Sequence, residues 1–424
     1  MTPTELAPRF FIAVVIILLA CRAVAWLLGR VGQPPVVSEM LAGVLLGPSL
    51  LGLLLPRAQD AIFPPPLYPM LYVVGQVGLV IFMFQAGYAF RQHEVTGLVG
   101  TAGAVSLAGV TAPLVLGVLL VVGFGAPAHI LAEGTALGVS AAFVGVALAI
   151  TAFPMLARII TERGQAGTRH GSLALASGAI DDAAAWIMLA FVIAAASGHT
   201  GPALRTVAGA LLFVVLIWYV IRPAATVLMR TDRLADPARL LGVVALLFAV
   251  AWYTDEIGLY AVFGAFAVGV VMPVGERTDH VVGLLSPVCQ TVFLPLFFTY
   301  SGLRTEFGLL GDPAVLLFAL GCVVAAIAGK FGACWAAARL RGEPSRVALR
   351  VGALMNARGL MQLIALNVGL EAGIVSPALF TVLVLVALVT TLMATPLLDW
   401  FERRDRIRAR PVAERPEPVD QIQR

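Results

Sequence analysis

The stretch that decides the fold is residues 171–196, which read GSLALASGAIDDAAAWIMLAFVIAAA. It is long enough to cross a bilayer as a helix, because about 20 apolar residues span the hydrocarbon core. Asp181 and Asp182 stand side by side near its middle, between mostly apolar flanks. Each ionised group at the centre of such a helix costs about 2.5–3.5 kcal/mol. The two aspartates must therefore pair with other charges or line water.

The composition of the whole chain also indicates a membrane protein. Of its 424 residues, 60% are hydrophobic and only 12% are charged, and the mean hydropathy is +0.95. Soluble proteins carry about 25% charged residues, so most soluble enzymes are excluded and no room is left for a large soluble domain. The four cysteines lie in apolar stretches without metal-ligand spacing. We expect no cofactor and no nucleic-acid partner.

Apolar runs separated by short polar or Pro/Gly-rich breaks predict an all-α, polytopic membrane protein with about thirteen transmembrane helices. The runs lie at approximately 10–29, 34–54, 68–88, 97–124, 134–157, 171–196, 203–221, 239–254, 259–273, 280–302, 313–338, 346–368 and 375–400. Within the first run, the apolar residues after Arg9 that lead to Leu18-Leu19-Ala20-Cys21 resemble a lipoprotein signal sequence. Because apolar residues continue to Gly29, a retained span is favoured.

The basic residues predict the orientation of these spans. Of the 28, 22 fall in loops on one side and four on the other, and cytoplasmic loops carry the excess of Lys and Arg. This predicts a cell-membrane protein with its N-terminus outside and its C-terminus in the cytoplasm. The two remaining bases, Lys330 and Arg358, fall inside spans, and Lys330 is the only lysine of the chain.

Thirteen spans divide as six, one and six, and a single linking helix inverts the second six relative to the first. Inverted repeats of this kind build many secondary transporters. The sequence support is a weak match between 41–48 (LAGVLLGP) and 266–273 (FAVGVVMP), in the second span of each half.

Two further spans carry helix-breaking residues at membrane depth. Residues 148–154 (LAITAFP) include Thr151 and Pro154, and a proline inside a span removes a backbone hydrogen bond. Residues 352–363 (GALMNARGLMQL) place four polar or flexible residues in another span: Asn356, Arg358, Gly359 and Gln362. Both are the fifth helix of their half, and paired interrupted helices indicate a transporter's binding site. An ordinary kink is the alternative for Pro154 alone.

The buried charges have a structural and a functional interpretation. A single pair would be explained equally well as an ion pair that holds helices together. Neighbouring residues on a helix point about 100° apart, so both aspartates cannot face one partner equally. One can pair with Lys330 while the other faces a cavity and holds either a proton or a small cation. Such competition is sufficient for antiport.

Several motifs together resemble the cation:proton antiporter-2 family of sodium/proton and potassium/proton exchangers. They are AITAFPMLARIITERG (149–164), GSLALASGAIDDAAAWIMLA (171–190), QPPVVSEMLAGVLLGPSLLG (33–52) and NARGLMQLIALNVG (356–369). The resemblance covers almost the whole membrane region. It implies a homodimer in the lipid bilayer, whose subunits each join a scaffold to a mobile ion-carrying core with two crossed, partly unwound helices.

The resemblance also implies roles for individual residues. Asp182 would be the principal carrier of the proton and of the transported Na+ or K+, which Asp181 would help to bind. Asp181 would pair with Lys330, and Thr151 with nearby freed carbonyls would complete the coordination. Arg358 would neutralise the negative helix ends at the crossing, while Pro154, Asn356 and Gly359 mark the breaks.

By position, the membrane transporter domain is expected over residues 1–400. Its expected parts are a dimer scaffold over about 10–88 and 239–302, a linker helix over 203–221, and an ion-carrying core over about 97–196 and 313–400. Residues 401–424 form a short cytoplasmic tail.

Two departures from the family pattern leave the cation open. Relatives often have a glutamate where Gln362 stands, and potassium-selective relatives often replace the first aspartate by an amide, whereas this chain keeps both acids. The Asp-Asp pair favours sodium, but the segments around 150–159 and 358–369 look closer to potassium-handling members. A channel or sensor without coupled exchange is the main alternative. An organic-anion transporter is another, while an enzyme is not expected.

Overall fold

The structure is a computed structural model that describes residues 3–30, 32–33, 35–92, 98–123, 130–165, 167–196, 200–232 and 234–409. Its α-helices are α1 (Pro3–Gly29), α2 (Pro35–Leu46), α3 (Leu51–Leu54), α4 (Pro56–Ile62), α5 (Tyr68–Gln92), α6 (Val99–Gly123), α7 (Leu137–Ala149), α8 (Phe153–Glu162), α9 (Arg169–Ala196), α10 (Thr200–Leu216), α11 (Arg222–Arg230), α12 (Asp236–Glu256), α13 (Ala261–Val271), α14 (Glu276–Val288), α15 (Leu294–Leu303), α16 (Pro313–Ile327), α17 (Ala333–Leu340), α18 (Ser345–Met355), α19 (Leu360–Glu371) and α20 (Pro377–Ala409).

Three of the junctions between these helices are π-helical turns. Ile217–Ile221 joins α10 to α11, Cys289–Phe293 joins α14 to α15, and Ala328–Gly332 joins α16 to α17. A π turn holds one more residue than an α turn and redirects the side chains that follow, and such turns are frequent at functional sites. Each joined pair therefore continues as one long helix with a local bulge, and Lys330 lies in the third bulge.

The predicted all-α, polytopic fold is confirmed. Ten helical stretches among the described residues are long and apolar enough to cross a membrane. The shorter α13 and the two broken pairs, α7 with α8 and α18 with α19, lie where three more spans are expected. This arrangement is compatible with thirteen spans.

The packing of the helices reflects the inverted repeat. The second span, α2, packs along α15 of the tenth, and the ninth span, α13, packs along α5 of the third. In a six-one-six scheme the second and ninth spans correspond, as do the third and tenth. The two contacts are therefore copies of each other, and they involve the segments of the weak internal sequence match.

Both of these helix pairs are in backbone contact. A Cβ atom added to Gly302 would lie 2.2 Å from the carbonyl carbon of Gly43, and one added to Gly269 would lie 2.1 Å from the carbonyl oxygen of Phe84. Small residues at helix interfaces in membranes allow such close approach, because dispersion contacts rather than water exclusion hold the helices together. Glycine is therefore required at these crossings.

The helix with the two aspartates, α9, lies at the centre of a second group. It packs against α6, α7, α8 and α18, and α6 also packs against the π turn that carries Lys330. A Cβ atom added to Gly329 would lie 2.8 Å from Cα of Pro113 on α6. This tight contact fixes the bulge of the helix against α6 and directs Lys330 toward α9.

Candidate functional site

The first broken helix consists of two halves, α7 and α8, with a non-helical segment between them. Ile150 has extended dihedral angles (φ −60°, ψ 130°), and the chain passes through Thr151 and Ala152 before α8 begins at Phe153. Pro154 is the second residue of α8, a position where its missing N–H costs no helical hydrogen bond. The proline thus starts the second half-helix, and the break lies just before it.

The last carbonyls of α7 are met by two buried cationic side chains. Lys330 donates from Nζ to the carbonyl oxygen of Ala149 at 2.5 Å. Arg358 donates from one guanidinium nitrogen to the carbonyl of Ala147 at 3.1 Å and from the other to the carbonyl of Leu148. Both cations are fully buried. They neutralise the partial negative charge that accumulates at a helix C-terminus.

The second broken helix crosses the first at its own break. After α18 ends at Met355, the chain runs through Asn356 to Gly359, and α19 begins at Leu360. The backbone amide of Ala152 donates to the carbonyl of Ala357 at 3.5 Å, and the hydroxyl of Thr151 lies 3.4 Å from the carbonyl of Met355. The two interrupted segments are therefore in direct contact.

Asp181 is ion-paired at this crossing. Its Oδ2 accepts from Nζ of Lys330 at 2.6 Å and from the hydroxyl of Thr151 at 2.8 Å. Asp181 and Lys330 are both completely buried. Taking two charges out of water is costly, and it is tolerated only where the geometry is good and further hydrogen bonds are made. The bonds from Thr151 and to Ala149 meet that requirement.

Asp182 has the opposite environment. It is only 1% exposed, and neither of its carboxylate oxygens has a hydrogen-bond partner among the described residues. It lies close to the backbone amide of Phe153 at the start of α8. It also lines a small cavity whose other walls are apolar: Ile150, Ala185, Leu189, Met361 and Ala365. Of the two neighbouring acids, Asp182 is thus the one without a fixed partner.

The structure brings several of the predicted site residues together, while Pro154 follows the first break on α8. Asp181, Asp182, Thr151, Lys330 and Arg358 converge where the two broken helices cross, and Asn356 and Gly359 belong to the second break. Gln362 lies one turn further, where its Nε2 donates to the carbonyl of Leu383 on α20. No group of three His, Cys, Asp or Glu side chains forms a metal site in the described part of the chain.

Sequence reasoning missed two further contributors. The hydroxyl of Thr391 on α20 lies within hydrogen-bond distance of the carbonyl of Arg358, as well as of the carbonyl of Ala387 on its own helix, and so connects α20 to the second break. Asn367 on α19 donates to the hydroxyl of Ser301 on α15 at 2.9 Å and thereby links α19 to a helix outside the crossing. Because Thr390 and Thr391 are adjacent, the sequence does not show which of them contacts the second break. A single Asn in an apolar helix likewise does not reveal its partner.

Comparison with known proteins identifies the family. The family described as "Sodium/hydrogen exchanger, transmembrane" matches residues 13–401, which is most of the chain. This chain therefore belongs to the sodium/hydrogen exchanger family of cation/proton antiporters, and the resemblance drawn from the sequence motifs is confirmed.

Individual relatives bear different substrate names. The chain is 34% identical over 394 residues to the Na(+)/H(+) antiporter NhaS4 of Synechocystis sp., covering 91% of this chain and 95% of that protein. It is 33% identical over 413 residues to the K(+)/H(+) antiporter 1 of Saccharomyces cerevisiae, covering 92% of this chain but only 46% of that longer protein. These relatives are transporters, and they differ in the cation named.

A solved structure supports the fold independently. The sodium proton antiporter MjNhaP1 from Methanocaldococcus jannaschii aligns with a TM-score of 0.59 over 96% of this chain and 100% of that one. At 15% sequence identity the likeness concerns the fold alone.

Proposed function

We propose that this chain exchanges a monovalent cation, Na+ or K+, for protons across the cell membrane by alternating access, with Asp182 as the shared carrier. The observation that supports this most directly is the contrast between two neighbouring acids. Asp181 is held by Lys330 and Thr151, whereas both carboxylate oxygens of Asp182 lie beside a cavity with no hydrogen-bond partner in the part of the chain that the structure describes. A fixed negative charge and a free one are what competition for a single site requires.

The coupling follows from the cost of a bare charge. A carboxylate that carries neither a proton nor a cation would have to cross a low-dielectric barrier unpaired, at a cost of several kcal/mol. The occupied forms are neutral at this position and avoid that cost. Movement of the core is then permitted only with one ligand or the other bound, which makes the two fluxes obligatorily opposite.

The Lys330 to Asp181 pair has a separate role in this proposal. Its two charges compensate each other, so a change in the charge of the crossing during exchange comes from the ligand that Asp182 carries. Removal of the ammonium would leave Asp181 as a second unpaired charge and so change the charge that moves with each exchange. Lys330→Gln under an imposed voltage therefore reports on coupling, while Asp182→Asn reports on carrying.

The wider arrangement in the membrane is part of the same proposal. Residues 10–88 and 239–302 form a scaffold through which two copies dimerise, and residues 97–196 and 313–400 form the moving core. The N-terminus faces outward, as the distribution of arginines predicts. The cation is left as Na+ or K+, because the sequence clues disagree and the relatives named above include both kinds.

The test is reconstitution into liposomes with an internal pH dye, adding Na+, K+ or Li+ in turn. We expect proton efflux on addition of the transported cation, and its loss in Asp182→Asn. A cation channel or a sensor without coupled exchange predicts instead a passive, voltage-driven flux that survives this substitution. Exchange by Asp182→Asn at the rate of the unmodified chain would overturn the proposal.

A further inference from the structure

The second break carries a polar side chain that none of the contacts described above uses. Asn356 is the residue that caps the C-terminus of α18, and it is completely buried. Neither its Nδ2 nor its Oδ1 has a hydrogen-bond partner among the described residues. Buried side-chain amides are nearly always paired, and each exception requires an explanation.

The two helix ends at the crossing are compensated unequally. Lys330 and Arg358 both donate to the C-terminal carbonyls of α7. At the end of α18, the carbonyl of Met355 meets only the neutral hydroxyl of Thr151, and that of Ala357 meets a backbone amide. Within the described residues no cationic side chain donates to this second end. Its partial negative charge is thus left for another cation.

The end of α18 lies beside the carboxylates. The hydroxyl of Thr151 is 2.8 Å from Oδ2 of Asp181 and 3.4 Å from the carbonyl oxygen of Met355. The last residue of α18 is therefore only two hydrogen-bond lengths from the acidic pair. In the described part of the chain, the buried oxygens without a hydrogen-bond partner include Oδ1 of Asp181, both carboxylate oxygens of Asp182, and Oδ1 of Asn356, which follows Met355 directly in the chain.

We propose that Asn356 is a ligand of the transported cation, through its amide oxygen either directly or by way of one water. The proposal rests on the function assigned to Asp182. Unwound segments and half-helix C-terminal ends coordinate cations in several transporter folds. An alkali cation then draws its oxygens from Asp182 on α9 and from the second break, so that binding joins α9 to this break rather than neutralising Asp182 alone.

This role distinguishes the cation from the proton. A side-chain amide does not titrate, so it adds affinity for the cation and none for the proton. Loss of the amide should weaken cation binding while the proton is still carried by Asp182. The expected signature is a raised KM for the cation with a much smaller change in the maximal rate of exchange.

The experiment compares Asn356→Ala with Thr390→Val, using full-length protein in proteoliposomes and in detergent. Thr390 is a matched control, because it is also fully buried and, among the residues described, its hydroxyl bonds only to carbonyls of its own helix, at Val386 and Ala387. We expect Asn356→Ala to raise the KM for Na+ or K+ about tenfold or more, as for the loss of a hydrogen-bonding group to a charge. The thermal stabilisation that the same cation gives the purified protein should shrink in parallel.

Two results would overturn the role of Asn356. One is an unchanged KM together with an unchanged cation-dependent shift of melting temperature in Asn356→Ala. The other, where that variant does not fold, is the same pair of unchanged values in Asn356→Ser, which shortens the side chain and withdraws the amide. Either leaves the function of Asp182 intact so long as Asp182→Asn is inactive. Conversely, full exchange by Asp182→Asn removes the proposed function, whatever Asn356→Ala does.

Discussion

The close-packed helix pairs, α2 with α15 and α5 with α13, and the crossing of the two broken helices satisfy the same requirement in different ways. Within a bilayer every backbone polar group must find a partner inside the protein. The packed pairs keep their helices continuous and bring them together through glycines. At the crossing the helices are interrupted, and side chains from other helices donate hydrogen bonds to the carbonyls that the breaks leave free.

The difference has a consequence for motion. A continuous helix in backbone contact has one arrangement, because any shift brings main-chain atoms into collision. A freed carbonyl that is held by a side chain or an ion can exchange that partner for another. The glycine-packed pairs are therefore suited to stay fixed, and the crossing is suited to change its partners.

The largest expected effect is on the charged side of this comparison. Lys330→Met keeps most of the length of the side chain but leaves Asp181 and the carbonyl of Ala149 without their cation. Breaking one partner of a buried ion pair costs about 3–5 kcal/mol, and a fall in the thermal unfolding midpoint of the purified protein measures it. Adding Asp181→Asn to the same protein should restore part of the loss, since the carboxylate that Lys330 neutralises is then removed as well. Equal stability of Lys330→Met and the unmodified chain would contradict this.

The packed side responds to volume instead of charge. Gly302→Ala places a Cβ atom against the backbone of Gly43 and Val44, and overpacking of this kind costs about 1–3 kcal/mol. Gly283→Ala is the control, because nothing lies within 4 Å of its added Cβ. We expect Gly302→Ala, and not Gly283→Ala, to lower the thermal stability. The folded fraction of Gly302→Ala should keep the KM of the unmodified chain for the cation. A raised KM at normal stability would show that the packed pair shapes the ion site.

A smaller effect separates two adjacent hydroxyls. Thr391→Val removes the only donor to the buried carbonyl of Arg358 in the described part of the chain, at a cost of about 1–2 kcal/mol. Thr390→Val removes only bonds to carbonyls of its own helix and should be nearly neutral. The comparison is made by unfolding both proteins thermally under the same conditions. The idea fails if the two variants melt together.

The smallest effect is expected where the two regions meet at an exposed position. The hydroxyl of Tyr72 on α5 donates to Glu371 at the end of α19 at 3.2 Å. Exposed polar contacts contribute about 0–1 kcal/mol, so Tyr72→Phe should leave the melting temperature almost unchanged. An unfolding midpoint as low as that of Gly302→Ala would mean that this contact is far more important to the fold than its exposure indicates.

How far the sequence leads depends on the kind of signal. Asp181, Asp182, Lys330 and Arg358 could be found from the sequence, because a charge in an apolar span is rare and costly wherever it lies. The two breaks were equally accessible, since Pro154 and Gly359 interrupt otherwise apolar runs. Because these signals depend on local chemistry alone, the fold class and the centre of the site followed from them.

Other features depend on three-dimensional register and could not be read from the chain. The family resemblance assigns Arg358 to the helix ends at the crossing, but nothing in the sequence indicates that Lys330 also donates to the end of α7. Nor does it indicate that Thr391, and not Thr390, contacts the second break. A threonine in a helix bonds to its own preceding turn as readily as to a neighbour. The π turn that aims Lys330 likewise follows from packing against Pro113, which no periodicity reveals.

The single lysine of the chain lies in that π turn, in a place sealed from water. Apart from a terminal amine, its Nζ is the sole primary amine in the sequence, so an acylating reagent can react with a side-chain amine only here, and only when this place opens. The rate at which such a label is incorporated at this position would measure how often solvent reaches it, with and without salt.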